Sequence, residues 1–232
     1  MACSRLWACW RWCSALWLCC CRAERIRLRA WSRERQCSNR GDGRRVLVAM
    51  ALFAFGSLAI WPFIERTAHA IGIPATQFGR YQSVAVLASA LGNAGLALVI
   101  KRLPRGWPLA ATLGACGLTC ALLTTVRSEP AFAAAFIGYM VSWFLTYPLL
   151  LGLAFANDES GRLAVMTTGT WLLSQSLGSL MAGVIAQSFG GFSPIGPIGA
   201  AFCILAIAAA LPAALKLDRA GSIPPAAPRP AT

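Results

Sequence analysis

Residues 147–165 read YPLLLGLAFANDESGRLAV: an apolar run through Ala156, a polar hinge NDESGR, and a second apolar run from Leu163. A helix crossing the bilayer core of about 30 Å needs roughly 20 apolar residues, because each residue rises only about 1.5 Å. Every backbone polar group in lipid must also be satisfied inside the segment. The hinge is short and carries two acids and an arginine, so it reads as a turn between two membrane-spanning helices.

The same alternation extends in both directions. Apolar runs cover approximately 46–64, 84–100, 107–126, 131–156, 163–189 and 197–215. Composition agrees, since 57% of the residues are hydrophobic and only 12% charged, against about 25% charged in ordinary soluble domains. The pattern predicts an all-α membrane protein with six transmembrane helices. Three regions follow: a basic Cys/Trp/Arg-rich tail over 1–42, the bundle over 43–219, and a Pro/Ala-rich tail over 220–232 that lacks the apolar content to fold.

The formal charge of +13 does not point to nucleic acid. Eleven of the 21 basic residues fall in the first 45, and most of the other ten sit between apolar runs, so they do not form the basic patch of a soluble domain. Counting alternate connections sorts them. One set holds the N-terminal tail, Lys101, Arg102, Arg105, Arg162, Lys216 and Arg219; the other holds only Arg66, Arg80 and Arg127. Basic residues near span ends are retained on the cytoplasmic side, which predicts that both termini are cytoplasmic. The connection over 65–83, punctuated by Gly72, Pro74 and Gly79, then lies outside, with room for a short helix.

The first tail contains WLCCCRAERIRLRAW at 17–31. Its consecutive Cys19, Cys20 and Cys21 lack the paired spacing of a zinc site. A signal peptide, palmitoylated cysteines and a basic arm on anionic lipid are alternatives. A leucine codon CUG read one base late gives UGC, cysteine. Residues 1–42 are therefore expected to be either a disordered tail or an out-of-frame reading of Leu-rich helices.

Polar groups inside spans are costly and mark candidate sites. Glu65 and Arg66 follow Pro62 in WPFIER, where a bend could turn them toward a cavity. Asn93 lies mid-span in SALGNAGLALVI, and Gln175 in WLLSQSLGSLMAG; each can bind solute or a neighbouring helix. Tyr147 adjoins Pro148, which frees a backbone carbonyl. Ser179 and Gly183 are four apart and suit close helix packing. Cys116 and Cys120 read as small apolar fillers. His69 is the sole histidine and has no acidic cluster beside it, so neither a metal site nor a catalytic constellation is expected. No enzyme activity or cofactor is indicated.

From Gly43 to Arg219 the chain resembles the C-terminal six-helix half of a major facilitator superfamily transporter of the bacterial efflux-permease type. YPLLLGLAFANDESGRLAV followed by LLSQSLGSLMAG is similar to that family's passage from tenth to eleventh helix, with its D-P-S-G-R and L-G-P-x-x-A-G patterns. Asp158, Ser160, Gly161 and Arg162 match the first, with Glu159 in place of proline. Leu177, Gly178, Ala182 and Gly183 match the second, with Ser179 in place of proline. GLALVIKRLPRGWPL resembles the family's basic loop, where Lys101, Arg102 and Arg105 keep the charge but the aspartate is absent. WPFIER resembles the outer part of the seventh helix, which makes Glu65 the coupling candidate.

The resemblance implies a bacterial inner-membrane permease or exporter half that binds a small solute near the midplane. It would work by rocking against a separate N-terminal half or a second copy, and it would be inactive alone. A different reading is a non-transporting six-helix membrane protein that binds a partner.

Overall fold

The computed structural model describes residues 40–100, 103–158 and 160–221. All regular structure among them is helical. Six long helices, α1 (Arg40–Leu58), α3 (Ala75–Val99), α4 (Gly106–Thr125), α5 (Glu129–Asn157), α6 (Arg162–Phe189) and α7 (Ile195–Gly221), are joined by short connections. A 3-10 turn (Trp61–Phe63) and the short α2 (Ile64–Ala70) stand between α1 and α3. Proline explains the break, since Pro62 has no N–H to continue the ladder. Helix α3 begins nine residues before the expected run, with Gly79 as an ordinary helical residue. Gly79 is therefore not loop punctuation. The expectations for 1–39, Lys101, Arg102, Glu159 and 222–232 concern residues outside those described.

Five segments are long and apolar enough to cross a membrane: Gly41–Ala70, Ala75–Val99, Gly106–Thr125, Glu129–Asn157 and Ile195–Arg219. The expectation was six. Helix α6 has the length, 28 residues, or about 42 Å at 1.5 Å per residue. Thr167, Thr168, Ser174, Gln175, Ser176 and Ser179 lower its hydropathy. Three of these hydroxyls donate back to their own helix, Thr167 to Leu163 O at 2.7 Å, Thr168 to Ala164 O at 3.1 Å and Ser176 to Leu172 O at 3.1 Å, which offsets their desolvation.

Contacts at the helix ends sort them into two sets. At one end Lys216 Nζ meets Asp42 Oδ2 at 2.6 Å, Asp218 accepts from the Arg105 and Gly106 amides, and Gly43 faces Leu163. The starts of α1, α4 and α6 thus share an end with the finish of α7. At the other end Tyr81 donates to Glu129 Oε1 at 2.6 Å, Gln77 reaches the same oxygen, and Thr124 donates to Ser193 O at 3.1 Å. The first and last described helices therefore begin and finish on the same side.

Helix pairing has an internal correspondence. Exchanging α1 with α5, α3 with α6 and α4 with α7 turns the α1–α7 contact into α5–α4, and α1–α6 into α5–α3, while α4–α7 and α1–α5 map onto themselves. All of these contacts are present. The largest departure is α5 against α6, whose counterpart would be α1 against α3; α3 instead meets the short α2.

Glycine sets the tightest crossings. A Cβ at Gly178 of α6 would collide with the Phe55 carbonyl of α1, and one at Gly56 would collide with Phe202 of α7. At Gly199 a Cβ would lie 2.8 Å from the Gly56 carbonyl oxygen. Close approach is made by Gly178, inside the quoted motif, while around Gly183 a Cβ would meet nothing within 4 Å. The expectation for Gly183 is thereby corrected, because that residue faces open space. Gly178→Ala is expected to destabilise the fold by about 1–3 kcal/mol and Gly183→Ala to leave it nearly unchanged. Thermal unfolding in detergent distinguishes the two.

Candidate functional site

Helices α5 and α6 meet through aromatic rings. Trp143 and Tyr147 are four apart on α5 and share a face, and Trp171 of α6 lies 6.4 Å from the first and 5.4 Å from the second by ring centroids. Phe144 packs edge-on against Trp143 at 4.9 Å and 89°. Gln175 is one turn beyond Trp171. Trp143 and Gln175 are near the midpoints of their helices, which places the group at the depth farthest from either end.

Both indole nitrogens in the group, Trp143 Nε1 and Trp171 Nε1, are buried and have no hydrogen-bond acceptor among the described residues. A buried donor without an acceptor costs about 1–3 kcal/mol, and such groups call for an explanation such as a bound molecule. Ring faces beside two free donors can stack a flat apolar body and bond to an oxygen it carries. No carboxylate belongs to the group. Trp143 and Trp171 were missed in the sequence, although tryptophan usually marks span ends rather than middles.

The other candidates are placed elsewhere. Glu65 and Arg66 are exposed on α2; Glu65 pairs with His69 at 3.8 Å, and the Arg66 guanidinium lies 6.0 Å over the Phe63 ring. Asn93 donates to Ser89 O at 3.0 Å on its own helix. Its neighbour Gly92 faces Val141 and Leu145 of α5. Positions 141 and 143 are about 200° apart on a helix, so Asn93 is on the opposite side of α5 from the rings. Of the predicted residues, Tyr147 packs on Trp171 in this group, and Gln175 lies one turn further along α6.

The loop motif has a structural task. Asp158 Oδ1 accepts from the Ser160 amide at 3.0 Å and hydroxyl at 2.6 Å, and Oδ2 accepts from Leu163 N at 2.8 Å. Gly161 supplies the left-handed φ of +75° that lets the loop enter α6. Arg162 is exposed beside it. The start of α4 is served differently: Asp218 of α7 accepts from Arg105 N at 2.8 Å and Gly106 N at 3.0 Å. That carboxylate comes from 112 residues away, so local spacing gave no sign of it.

Deeper in the bundle, Tyr139 donates to Ser57 O at 2.8 Å, satisfying a carbonyl in the last turn of α1. Cys116 and Cys120 are fully buried near it, as expected of apolar fillers, and Cys203 of α7 is fully buried with them.

No protein-family model matches the chain, and no match is found among curated proteins or solved structures.

Hydrogen bonds from Ser160, then from the Leu163 amide, hold the Asp158 carboxyl below the usual carboxylate range. A lowered folded-state pKa means that its stabilisation is complete above the ordinary value of about 3.9 and is lost as pH falls through the lower one. Asp158→Asn is expected to flatten this part of the acid limb. Melting curves of both proteins between about pH 2 and 6 read the difference.

Proposed function

We propose that the chain is one six-helix half of a secondary transporter of the major facilitator type and moves a small solute only when a second half completes the pathway. The observation that carries this reading is the three-plus-three correspondence of helix pairing, because repeats of three helices nested within six are a known plan for such halves. An odd repeat in a chain that reverses at each connection is necessarily inverted. In this reading α6 is the sixth span, despite its polar residues.

The aromatic group at the α5–α6 contact is the solute wall contributed by this half, and its chemistry favours a flat apolar solute with a hydrogen-bond acceptor. Basic residues support the orientation. Arg44, Arg45, Arg105, Arg162, Lys216 and Arg219 belong to the end where α1 starts and α7 finishes, which favours a cytoplasmic position for both termini. The membrane is then a bacterial inner membrane, and the complement is a separate N-terminal half or a second copy of the chain.

Liposomes holding the purified monomer are expected to show no solute flux above empty liposomes, and flux is expected from a tandem fusion of two halves. In the active form, Trp143→Phe and Trp171→Phe retain a ring but lose the donor, so each is expected to weaken apparent solute affinity about tenfold. Flux by the isolated monomer, or unchanged affinity in both variants, overturns the reading. Stable capture of one protein partner with no flux in any form supports the alternative of a non-transporting membrane protein.

A further inference from the structure

On the other side of α5 lies a cavity of about 230 Å³. It begins beyond the contact of Gly92 with Val141 and Leu145, and its wall includes Ile100 at the end of α3, Leu109 of α4, Pro148 and Gly152 of α5, and Ala214 of α7. Among the described residues, Arg105 is the one lining residue with a charged side chain. Pockets that enclose a whole small solute measure roughly 300–1,000 Å³, and one water takes about 30 Å³. The space is therefore too small for a complete solute and far too large and apolar for a single water. A slender apolar segment fits it, provided the rest of the molecule lies outside.

Depth identifies the rest. Trp107, two residues after Arg105, is 72% exposed, and exposed tryptophan near a span end marks the headgroup level of a bilayer. Arg105 is itself exposed and precedes the first residue of α4. The cavity thus runs from apolar walls at acyl-chain depth to a guanidinium at headgroup depth. Guanidinium pairs well with phosphate oxygens, and basic pockets between transmembrane helices recognise anionic headgroups.

We infer that this groove binds one anionic phospholipid, with part of an acyl chain between α3, α5 and α7 and the headgroup's net negative charge, uncancelled by a choline cation, at Arg105. The inference rests on the bundle being embedded in a bilayer and not on its transporting anything. The site differs from the aromatic group, which α5 presents on its opposite face. Only 11% of the apolar window of α3 is buried by the protein, which leaves its surface open to lipid beside the groove.

Two substitutions separate the headgroup from the chain. Arg105→Gln removes the charge. Gly152→Leu fills the groove, and it is sterically allowed because a Cβ at Gly152 meets nothing within 4 Å. The full chain in detergent is titrated with phosphatidylglycerol, with phosphatidylcholine of the same chains, and with inorganic phosphate, and binding is read by native mass spectrometry and by thermal shift. Phosphatidylglycerol is expected to bind at least tenfold more tightly than phosphatidylcholine. Arg105→Gln is expected to erase that preference, and Gly152→Leu to weaken both lipids while the protein remains folded. Equal binding of the two lipids, indifference to both substitutions, or an equal Arg105-dependent response to inorganic phosphate alone overturns the inference. A chain that fails to enter detergent micelles as a folded species would instead refute the membrane reading.

Discussion

The bundle depends on how closely α1 can approach its neighbours. Lipid tails are as apolar as leucine, so helices in a membrane gain little from hydrophobic burial against one another and associate through packing and hydrogen bonds. Helix α1 meets α6 where Gly178 lies on the Phe55 carbonyl, and it meets α7 where Gly56 and Gly199 adjoin. Met50, Phe53 and Ala54 are fully buried on the same helix. Tyr139 of α5 then hydrogen-bonds a carbonyl in the last turn of α1. Opening the α1 crossings would separate α6 from α7 and leave that carbonyl without its partner.

Polar contacts at the two ends complement this crossing. Asp42 with Lys216, and Asp218 with the start of α4, tie α7 to two other helices at one end. Glu129 with Tyr81 and Gln77 ties α3 to α5 at the other. Between them α5 has three distinct tasks. One face carries Tyr139, Ser142, Thr146 and Leu150 into the core. A second faces α3 and the groove, and a third presents Trp143 and Tyr147 to α6.

Pro148 and Gly152 show why the tasks can coexist in one helix. Neither is needed for the buried face, and both line the groove toward α3. A glycine there leaves room for a ligand, whereas a glycine at 178 leaves room for a backbone. The residue type is the same, but the neighbour decides its meaning.

Sequence alone determined the class of the molecule: apolar runs of spanning length, short polar hinges and a lopsided distribution of basic residues follow from chemistry local to each segment. It also singled out Tyr147 and Gln175, because a phenol or an amide in an apolar chain stands out, while the Asp158 turn came forward through the family resemblance. Only the tertiary structure decided that Trp143 and Trp171 have no acceptor among the described residues, that Gly178 rather than Gly183 sets a crossing, and that Asp218 serves a helix start 112 residues earlier. Those facts depend on which helix faces which, and helical period specifies a face without specifying its neighbour. Glu65 illustrates the difference: sequence placed it after a proline bend, and the fold leaves it exposed on α2 beside His69.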